Sequence, residues 1–218
     1  MQNSEHKPGK CRIYFYEVVL KIGLTGNIGS GKSTVAKVFQ AMDIPVFSAD
    51  YQARQCYFIP EVKKKITASF GPQSYLPDGG LNTKYLAAVA FKNKNSLQSL
   101  NAVIHPVLRS RFISWCLSPS QQRSSYVIME AAILFENHFE DMVDITVCVC
   151  APEHQRVDRV VLRDGLSEDE IMLRMQHQWQ EGKIRALSDY TIVNKDKKMI
   201  LTEILTLHYY FLEQSKQA

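Results

Sequence analysis

A glycine-rich segment that joins an apolar run to a helical pattern constrains this chain more than any other feature. Residues 22–34 read IGLTGNIGSGKST and match the pattern G-x-x-x-x-G-K-[ST] at every required position. Glycines at these positions let successive backbone N–H groups turn inward around phosphate oxygens, and the N-terminus of the following helix favours the same anion. The segment therefore predicts a phosphate-binding loop for a nucleoside triphosphate.

The loop supplies a set of candidate nucleotide-binding residues. Lys32 brings a mobile positive charge to the β and γ phosphates, and Ser33 offers a hydroxyl to Mg²⁺. A chance glycine turn is disfavoured, because strand, loop and helix all stand where the motif needs them. The loop alone does not distinguish a kinase from a GTPase or a motor. The candidates are Gly29, Ser30, Gly31, Lys32, Ser33 and Thr34.

A GTPase is disfavoured by the rest of the sequence. Guanine specificity usually accompanies an N-K-x-D run after a late strand. The corresponding run here, Asn194-Lys195-Asp196-Lys197, has its acid one position early. No D-x-x-G occurs after the phosphate loop. We therefore favour a different class of nucleotide-binding protein.

Composition and charge are those of an ordinary globular protein. The chain has 218 residues, of which 45% are hydrophobic and 22% charged, and this predicts one α/β unit. The net charge of +4 is modest, and the longest basic run is Lys63-Lys64-Lys65. Anionic small molecules explain this balance as well as nucleic acid does. We expect small-molecule substrates and no nucleic-acid partner.

Cysteine usage and the N-terminus bear on the cellular location. The five cysteines form an odd set without a C-x-x-C pair, which indicates reduced thiols in a cytoplasmic protein. Cys148 and Cys150 alternate with valines, so both are expected to face one side of a sheet as buried structural residues. Residues 1–17 have the pattern of a loose extension, with neither a secretory signal nor a membrane span.

Apolar runs alternate with helical patterns along the chain, which predicts a parallel sheet covered by helices. The gap between the second and third runs is too long for one crossover helix and predicts a helical insertion. A charged helical hairpin is predicted over 151–187, with Gly165 ending its first helix and Ser167 and Glu170 forming a capping box. The expected strands are 18–24, 44–47, 126–129, 145–149 and 190–193.

These patterns divide the chain into an N-terminal extension and one P-loop NTPase-type α/β domain. The extension is 1–17 and the domain is 18–218. We assign the core to 18–58, 116–150 and 186–218. The helical insertion is 59–115, and the helical hairpin, 151–185, has the position of a lid.

Two carboxylates follow predicted strands, where ligands gather at the carboxyl edge of a parallel sheet. Asp50 comes after the second strand and is a candidate to meet an acceptor hydroxyl, although it could equally cap a helix starting at Tyr51. Glu130 ends the third strand and is a candidate Mg²⁺ ligand, with a strand-end carboxylate of no ligand role as the alternative.

Arginines of the predicted hairpin are spaced for one helical face. Arg156, Arg159 and Arg163 recur at three and four residues, which suits a lid over phosphates. The alternative is a solvated face paired with Glu153 and Asp158. His105, placed at the end of a helical pattern over 97–104, is by itself more often structural than catalytic.

Taken together and in this order, the motifs resemble those of the dephospho-CoA kinase family over residues 20–205. The phosphate loop is generic, whereas the later segments together are specific. The matching segments are Gly23–Gly26, Ile28–Thr34, Ala49-Asp50, Phe70-Gly71, Asp78-Gly79, Leu100–Pro106, Ile133–Glu136, Arg163–Ser167, Gln178, Ser188-Asp189 and Asn194.

The resemblance implies transfer of the γ-phosphate of ATP, with Mg²⁺, to the ribose 3′-hydroxyl of dephospho-CoA, the last step of coenzyme A biosynthesis. It implies that Asp50 orients or deprotonates the acceptor. Arg159 and Arg163 would belong to the mobile lid, and Asn194 would lie near the adenine. The insertion around 81–115, with His105, would bind the acceptor. We expect a monomer or a weak homo-oligomer.

Two departures from the family pattern bear on the site. Where many members have Asp-Arg, this chain has Asn82-Thr83 followed by Lys84, which would replace a family arginine only partly because lysine lacks a bidentate fork. The run from Glu130 keeps its acid but lacks the family's proline. The runner-up function is a nucleoside or nucleotide kinase, and a nucleotide-binding regulatory or assembly protein is the alternative from another class.

Overall fold

Five parallel strands form the centre of the fold in the computed structural model, which describes residues 19–90, 94–176, 178–196 and 198–217. The strand order is β2-β3-β1-β4-β5, so β1 lies in the middle between β3 and β4. The predicted parallel sheet is confirmed, with each strand within two residues of its expected bounds. The strands are β1 Leu20–Thr25, β2 Val46–Ser48, β3 Tyr126–Glu130, β4 Ile145–Cys150 and β5 Tyr190–Val193.

Helices connect the strands and cover both faces of the sheet. Three of them, α3 to α5, lie within the predicted insertion, while α6 and α7 lie within the predicted lid. The helices are α1 Lys32–Ala41, α2 Ala49–Cys56, α3 Pro60–Phe70, α4 Thr83–Ala90, α5 Lys94–Cys116, α6 Glu153–Asp164, α7 Glu168–Gln176, α8 Glu181–Leu187 and α9 Leu201–Gln214.

Alternation along the strands divides the core into two apolar layers. Ile22 and Ile128 face α1 and α9, where Phe39 and Phe211 are buried. Met129 points to the opposite face, which α5 covers. Successive side chains of a strand point to opposite faces, so the near-continuous apolar runs of β1, β3 and β4 are what a sheet covered on both sides requires.

The insertion is helical, as predicted, but its longest helix does not end at His105. Helix α5 continues through Pro106 to Cys116. Ile104, Leu108 and Phe112, spaced four residues apart, are all buried on one face. Their packing holds the helix together across the proline, which removes one backbone donor. The prediction that the helix ends at residue 104 was therefore wrong.

The charged hairpin has the predicted turn. Gly165 ends α6 with φ of 65°, and the backbone N–H of Ser167 donates to the Glu170 carboxylate at 3.0 Å. The backbone N–H of Glu170 donates back to the Ser167 hydroxyl at 3.3 Å, so the capping box is confirmed. A third helix, α8, lies at the end of the predicted range 151–187 and was not predicted as a separate element.

Four cysteines lie in the part of the chain that the structure describes, and all four are free and buried. The sulfurs of Cys148 and Cys150 are 3.4 Å apart, which confirms that they share one side of the sheet. Burial raises the pKa of Cys116 to about 11, so this thiol is protonated at neutral pH. Cys11 and the predicted extension, residues 1–17, lie outside the described residues. The described helices include none with the length and apolar character needed to cross a membrane.

The packing of α5 on the sheet predicts a large difference between two phenylalanines. Phe112 is 1% exposed and contacts Phe47 with ring centroids 5.1 Å apart, whereas Phe58 is 50% exposed. We expect Phe112→Ala to lower the free energy of unfolding by about 3–5 kcal/mol, because it leaves a cavity in the core. Phe58→Ala should change it by less than about 1 kcal/mol. Urea unfolding measures both, and equal losses would contradict the assigned core.

Candidate active site

The phosphate loop runs from the end of β1 into α1 at the carboxyl edge of the sheet. Gly29 and Gly31 have φ of 78° and 92°, which side chains disfavour. Neighbours exclude side chains as well: a Cβ on Gly29 would lie 2.3 Å from the carbonyl oxygen of Arg156, and one on Gly31 would lie 2.1 Å from Nδ2 of Asn194. The loop is therefore shaped both by its own glycines and by two segments that press against it.

A buried carboxylate holds the loop's two chemically active side chains. Oε1 of Glu130 lies 2.9 Å from Nζ of Lys32 and accepts a hydrogen bond from the Ser33 hydroxyl at 2.7 Å. Lys32 and Glu130 are each 9% exposed. The strand register explains this meeting, because Glu130 pairs with Leu24 of β1 and stands directly beside the loop. Sequence reasoning named all three residues but did not predict that Glu130 contacts Lys32.

The donor set of this cluster fits a magnesium ion. Ser33 and Glu130 place one hydroxyl and one carboxylate oxygen together, and both are hard oxygen ligands. Magnesium is typically bound by one or two protein groups, with phosphates and water completing its shell. Among the described residues, no group of three or more His, Cys, Asp or Glu side chains is placed to hold a metal ion.

Asp50 lies in the first turn of α2, which begins at Ala49 with Ser48 in the N-cap position. The alternative prediction, that Asp50 caps a helix starting at Tyr51, was therefore wrong. Surrounding protein raises the pKa of Asp50 through desolvation, while the charge of Lys32 opposes this rise. A carboxylate with a raised pKa that remains open to a cavity is a better proton acceptor than an ordinary aspartate.

A cavity of about 630 Å³ lies over the phosphate loop and is strongly positive. Every loop candidate lines it, together with Asp50, which is the carboxylate among the lining residues. A cavity lined by so many basic side chains suits a polyphosphate, which is strongly negative. Sequence reasoning missed Lys37 and Arg54 as site residues, although each lies one helical turn after a predicted one. The basic lining residues are Lys32, Lys37, Arg54, Arg159, Arg163 and Arg174.

The three arginines of α6 do not act as one row. Arg159 and Arg163 line the cavity, and their membership of a mobile lid stays a prediction. Arg159 also pairs with Asp196 at 2.9 Å, and Arg163 pairs with Asp164 at 2.8 Å. Arg156 is 5% exposed and donates from Nε to the Ala151 carbonyl at 3.1 Å, beneath the phosphate loop. The alternative of a solvated face paired with Glu153 and Asp158 is wrong about the exposure of Arg156, but Arg156 does pair with Glu153 at 3.7 Å.

Asn194 follows β5 and is hydrogen-bonded to the phosphate loop. Its Nδ2 donates to the Ser30 carbonyl at 2.8 Å, and its backbone N–H donates to the Cys150 carbonyl at 2.8 Å. The predicted position beside the adenine stays a prediction.

A second cavity, of about 140 Å³, lies between α2, α5 and the segment after β3. Asp50 lines both cavities, and His105 lines this one. Burial lowers the pKa of His105, with the charge of Arg109 contributing, so the imidazole is neutral at neutral pH. Lys84 is exposed on α4 and lines neither cavity, so its predicted substrate role stays a prediction.

The sequence of the chain matches a known protein family. The family model described as dephospho-CoA kinase matches residues 20–199. The dephospho-CoA kinase of Bacteroides fragilis strain YCH46 is 33% identical over 190 residues, which cover 87% of this chain and 92% of the relative. That of Chlorobium chlorochromatii is 36% identical over 189 residues, covering 84% and 89%.

Solved structures share the fold. A crystal structure from Thermus thermophilus superposes with a TM-score of 0.79 at 31% identity, covering 88% of this chain and 97% of the other. The dephospho-CoA kinase from Campylobacter jejuni gives a TM-score of 0.65 at 20% identity, covering 89% and 98%, which supports the fold alone. From the family match and the relatives above 30% identity, the chain belongs to the dephospho-CoA kinase family.

Proposed function

We propose that the protein transfers the γ-phosphate of ATP to the ribose 3′-hydroxyl of dephospho-CoA. The observation that carries this proposal is the position of Asp50, which lines both the cavity over the phosphate loop and the smaller cavity beside α5. A carboxylate at this junction can face the acceptor hydroxyl on one side and the transferred phosphoryl group on the other. The family membership supports dephospho-CoA as the acceptor.

The nucleotide half of the reaction depends on the phosphate loop and its cations. Phosphoryl transfer is mainly positioning and charge stabilisation, because the transferred group passes through a loose transition state. Lys32 would leave Glu130 for the β and γ phosphates, and loop N–H groups would donate to their oxygens. Arg159 and Arg163 would stabilise charge on the transferred group and help exclude water.

Ser33 and Glu130 would hold Mg²⁺. The Ser33 hydroxyl oxygen and Oε1 of Glu130 lie 2.7 Å apart. The bound ion would neutralise charge on the β and γ phosphate oxygens. This role of Glu130 is compatible with its bond to Lys32, because the arrival of phosphate gives Lys32 another partner.

The acceptor half depends on Asp50 and the insertion. As the 3′-oxygen bonds to the γ-phosphorus and the bond from that phosphorus to the ADP oxygen breaks, the hydroxyl proton passes to the Asp50 carboxylate. His105 would contact the acceptor as a neutral imidazole in the smaller cavity. Lys84 would help to hold acceptor phosphates in place of the missing family arginine, and Asn194 would contact the adenine of ATP.

The acceptor assay tests this function directly. Purified protein is incubated with Mg·ATP and dephospho-CoA, adenosine, AMP or shikimate in turn, and ADP release is followed with the mass of each acceptor. We expect one added phosphate on dephospho-CoA only. Lys32→Ala controls for a contaminating kinase, and its activity should fall by at least about a hundredfold, since it loses a charge that stabilises the transition state.

Phosphate on adenosine or AMP instead would support the runner-up, a nucleoside or nucleotide kinase. ATP binding without acceptor-dependent ADP release would support a regulatory protein and contradict the proposed activity.

The position of Asp50 predicts an effect on rate that is separate from ATP binding. We expect Asp50→Asn to lower kcat by about 10²–10⁴-fold, because the hydroxyl loses its proton acceptor, while Kd for Mg·ATP changes by less than about threefold. Asp43→Asn, an exposed control on the loop after α1, should leave both unchanged. An unchanged kcat in Asp50→Asn would assign Asp50 a purely structural role.

The same variant has a predicted effect on stability. Burial raises the pKa of Asp50 in the folded state, so the folded protein favours the protonated carboxyl. Protonated Asp50 is tolerated at low pH, whereas ionised Asp50 lowers the free energy of unfolding as the pH rises. Asp50→Asn should therefore raise the unliganded Tm at pH 8, with a gain that shrinks toward about pH 4. A lower Tm at pH 8 would contradict this sign.

A further inference from the structure

The segment between α7 and α8 joins the phosphate loop to the chain that follows β3. Oε1 of Gln178 accepts a hydrogen bond from the Ile28 backbone N–H at 2.8 Å, on the phosphate loop. Nε2 of the same amide donates to the Ala132 carbonyl at 3.3 Å, two residues after Glu130. Gln178 also lines the larger cavity. One side chain thus connects the phosphate loop to the segment after β3.

The connection extends to Asp50 through Ala132. Asp50 and Ala132 line the larger cavity together. Burial raises the pKa of Asp50, and the Ala132 backbone beside the carboxylate acts against this rise. Gln178 holds the carbonyl of the same residue. The order of contacts is therefore phosphate loop, Gln178, Ala132 and Asp50.

The next residue makes a parallel link, which shows that this segment is anchored on both sides. Asn27 donates from Nδ2 to the Trp179 carbonyl at 2.9 Å, and the Trp179 backbone N–H donates to Oε1 of Glu136 at 2.9 Å. The ammonium of Lys183 lies 3.1 Å from the centre of the Trp179 indole ring. Gln178 is thus held in place by backbone and side-chain contacts around it.

We propose that Gln178 is a positioning residue that fixes Asp50 relative to the phosphate loop, so that the acceptor hydroxyl and the γ-phosphate meet in line. This inference rests on the proposed function, since it concerns the alignment of the same two substrates. An amide suits the task because one end accepts and the other donates, whereas a carboxylate has only acceptors when ionised. Misplacement of reacting groups by about 1 Å can cost about a hundredfold in rate.

A positioning role differs measurably from a contribution to loop structure alone. The phosphate loop keeps other supports when Gln178 is replaced, including the bond from Asn27 to Trp179 and that from Asn194 to Ser30. ATP binding should therefore survive the replacement. Gln178 is the side chain that joins the Ile28 N–H to the Ala132 carbonyl, so its replacement should loosen Ala132 relative to the loop and lower the rate of transfer.

The test compares Gln178→Met with Gln180→Met, an exposed control at the N-cap of α8 whose side chain does not cap that helix. We expect Gln178→Met to lower kcat by about 10–100-fold while Kd for Mg·ATP changes by less than about threefold. The control should match the wild-type protein in kcat, Kd and Tm. An unchanged kcat, or a loss of ATP affinity as large as the loss of kcat, would overturn the proposal.

A double-mutant cycle with Asp50→Asn tests whether Gln178 acts through Asp50. Single-turnover product formation, followed by mass, should fall less than about twofold further when Gln178→Met is added to Asp50→Asn. Fully multiplicative losses would overturn the proposal. Gln178→Glu provides a second variant: it keeps an acceptor for Ile28 but cannot donate to Ala132 when ionised, so its kcat should also fall.

The two proposals fail in different ways. A wild-type protein that transfers no phosphate to dephospho-CoA would contradict the proposed function. An active wild-type protein whose Gln178 variants turn over normally would contradict only the role of Gln178.

Discussion

The contact of Glu130 with Lys32 and Ser33 is the interaction on which the rest of the site depends. Lys32 and Glu130 are both buried, and each compensates the charge of the other. Removing one partner of such a buried pair typically lowers the free energy of unfolding by about 3–5 kcal/mol, because the other charge is left uncompensated. The central position of β1 produces the meeting, because the register with β3 sets Glu130 beside the phosphate loop. Phosphate oxygens would give Lys32 a second partner, and the carboxylate released would be available to magnesium. Lys32, Ser33 and Glu130 would thus stabilise the unliganded fold and also bind the nucleotide and its metal ion.

Asp50 differs from Glu130, because its charge is not neutralised by a single close partner but is subject to opposing effects. Desolvation disfavours its charge, while Lys32, Arg54 and the Ala132 backbone favour it. The pKa of this carboxylate is raised, and the side chain lines both cavities. Ala132 beside it contacts Gln178, and Gln178 contacts the phosphate loop, which is the basis of the proposal that Gln178 positions Asp50. The proposed role of Gln178 thus assigns the alignment of the two substrates to the segment between α7 and α8.

Much of this arrangement could be predicted from the sequence because it is encoded locally. The phosphate loop, the capping box at Ser167 and the strands are short-range patterns, and the two strand-end acids follow from the carboxyl edge of a parallel sheet. Long-range packing decided the rest. Helix α5 passes Pro106 because Leu108 and Phe112 are buried beyond it, and Arg156 is buried although it shares a face with two cavity arginines. No spacing rule indicates that Glu130 would contact Lys32, 98 residues away.

The measurement that tests this account most directly is a crystal structure of the protein with magnesium, a non-hydrolysable ATP analogue and dephospho-CoA. The account predicts that Nζ of Lys32 moves from Glu130 to the β and γ phosphates, that Glu130 and Ser33 face the metal, and that Asp50 lies within hydrogen-bond distance of the ribose 3′-hydroxyl. A complex in which Lys32 stays on Glu130, or in which Asp50 faces away from the acceptor ribose, would contradict it.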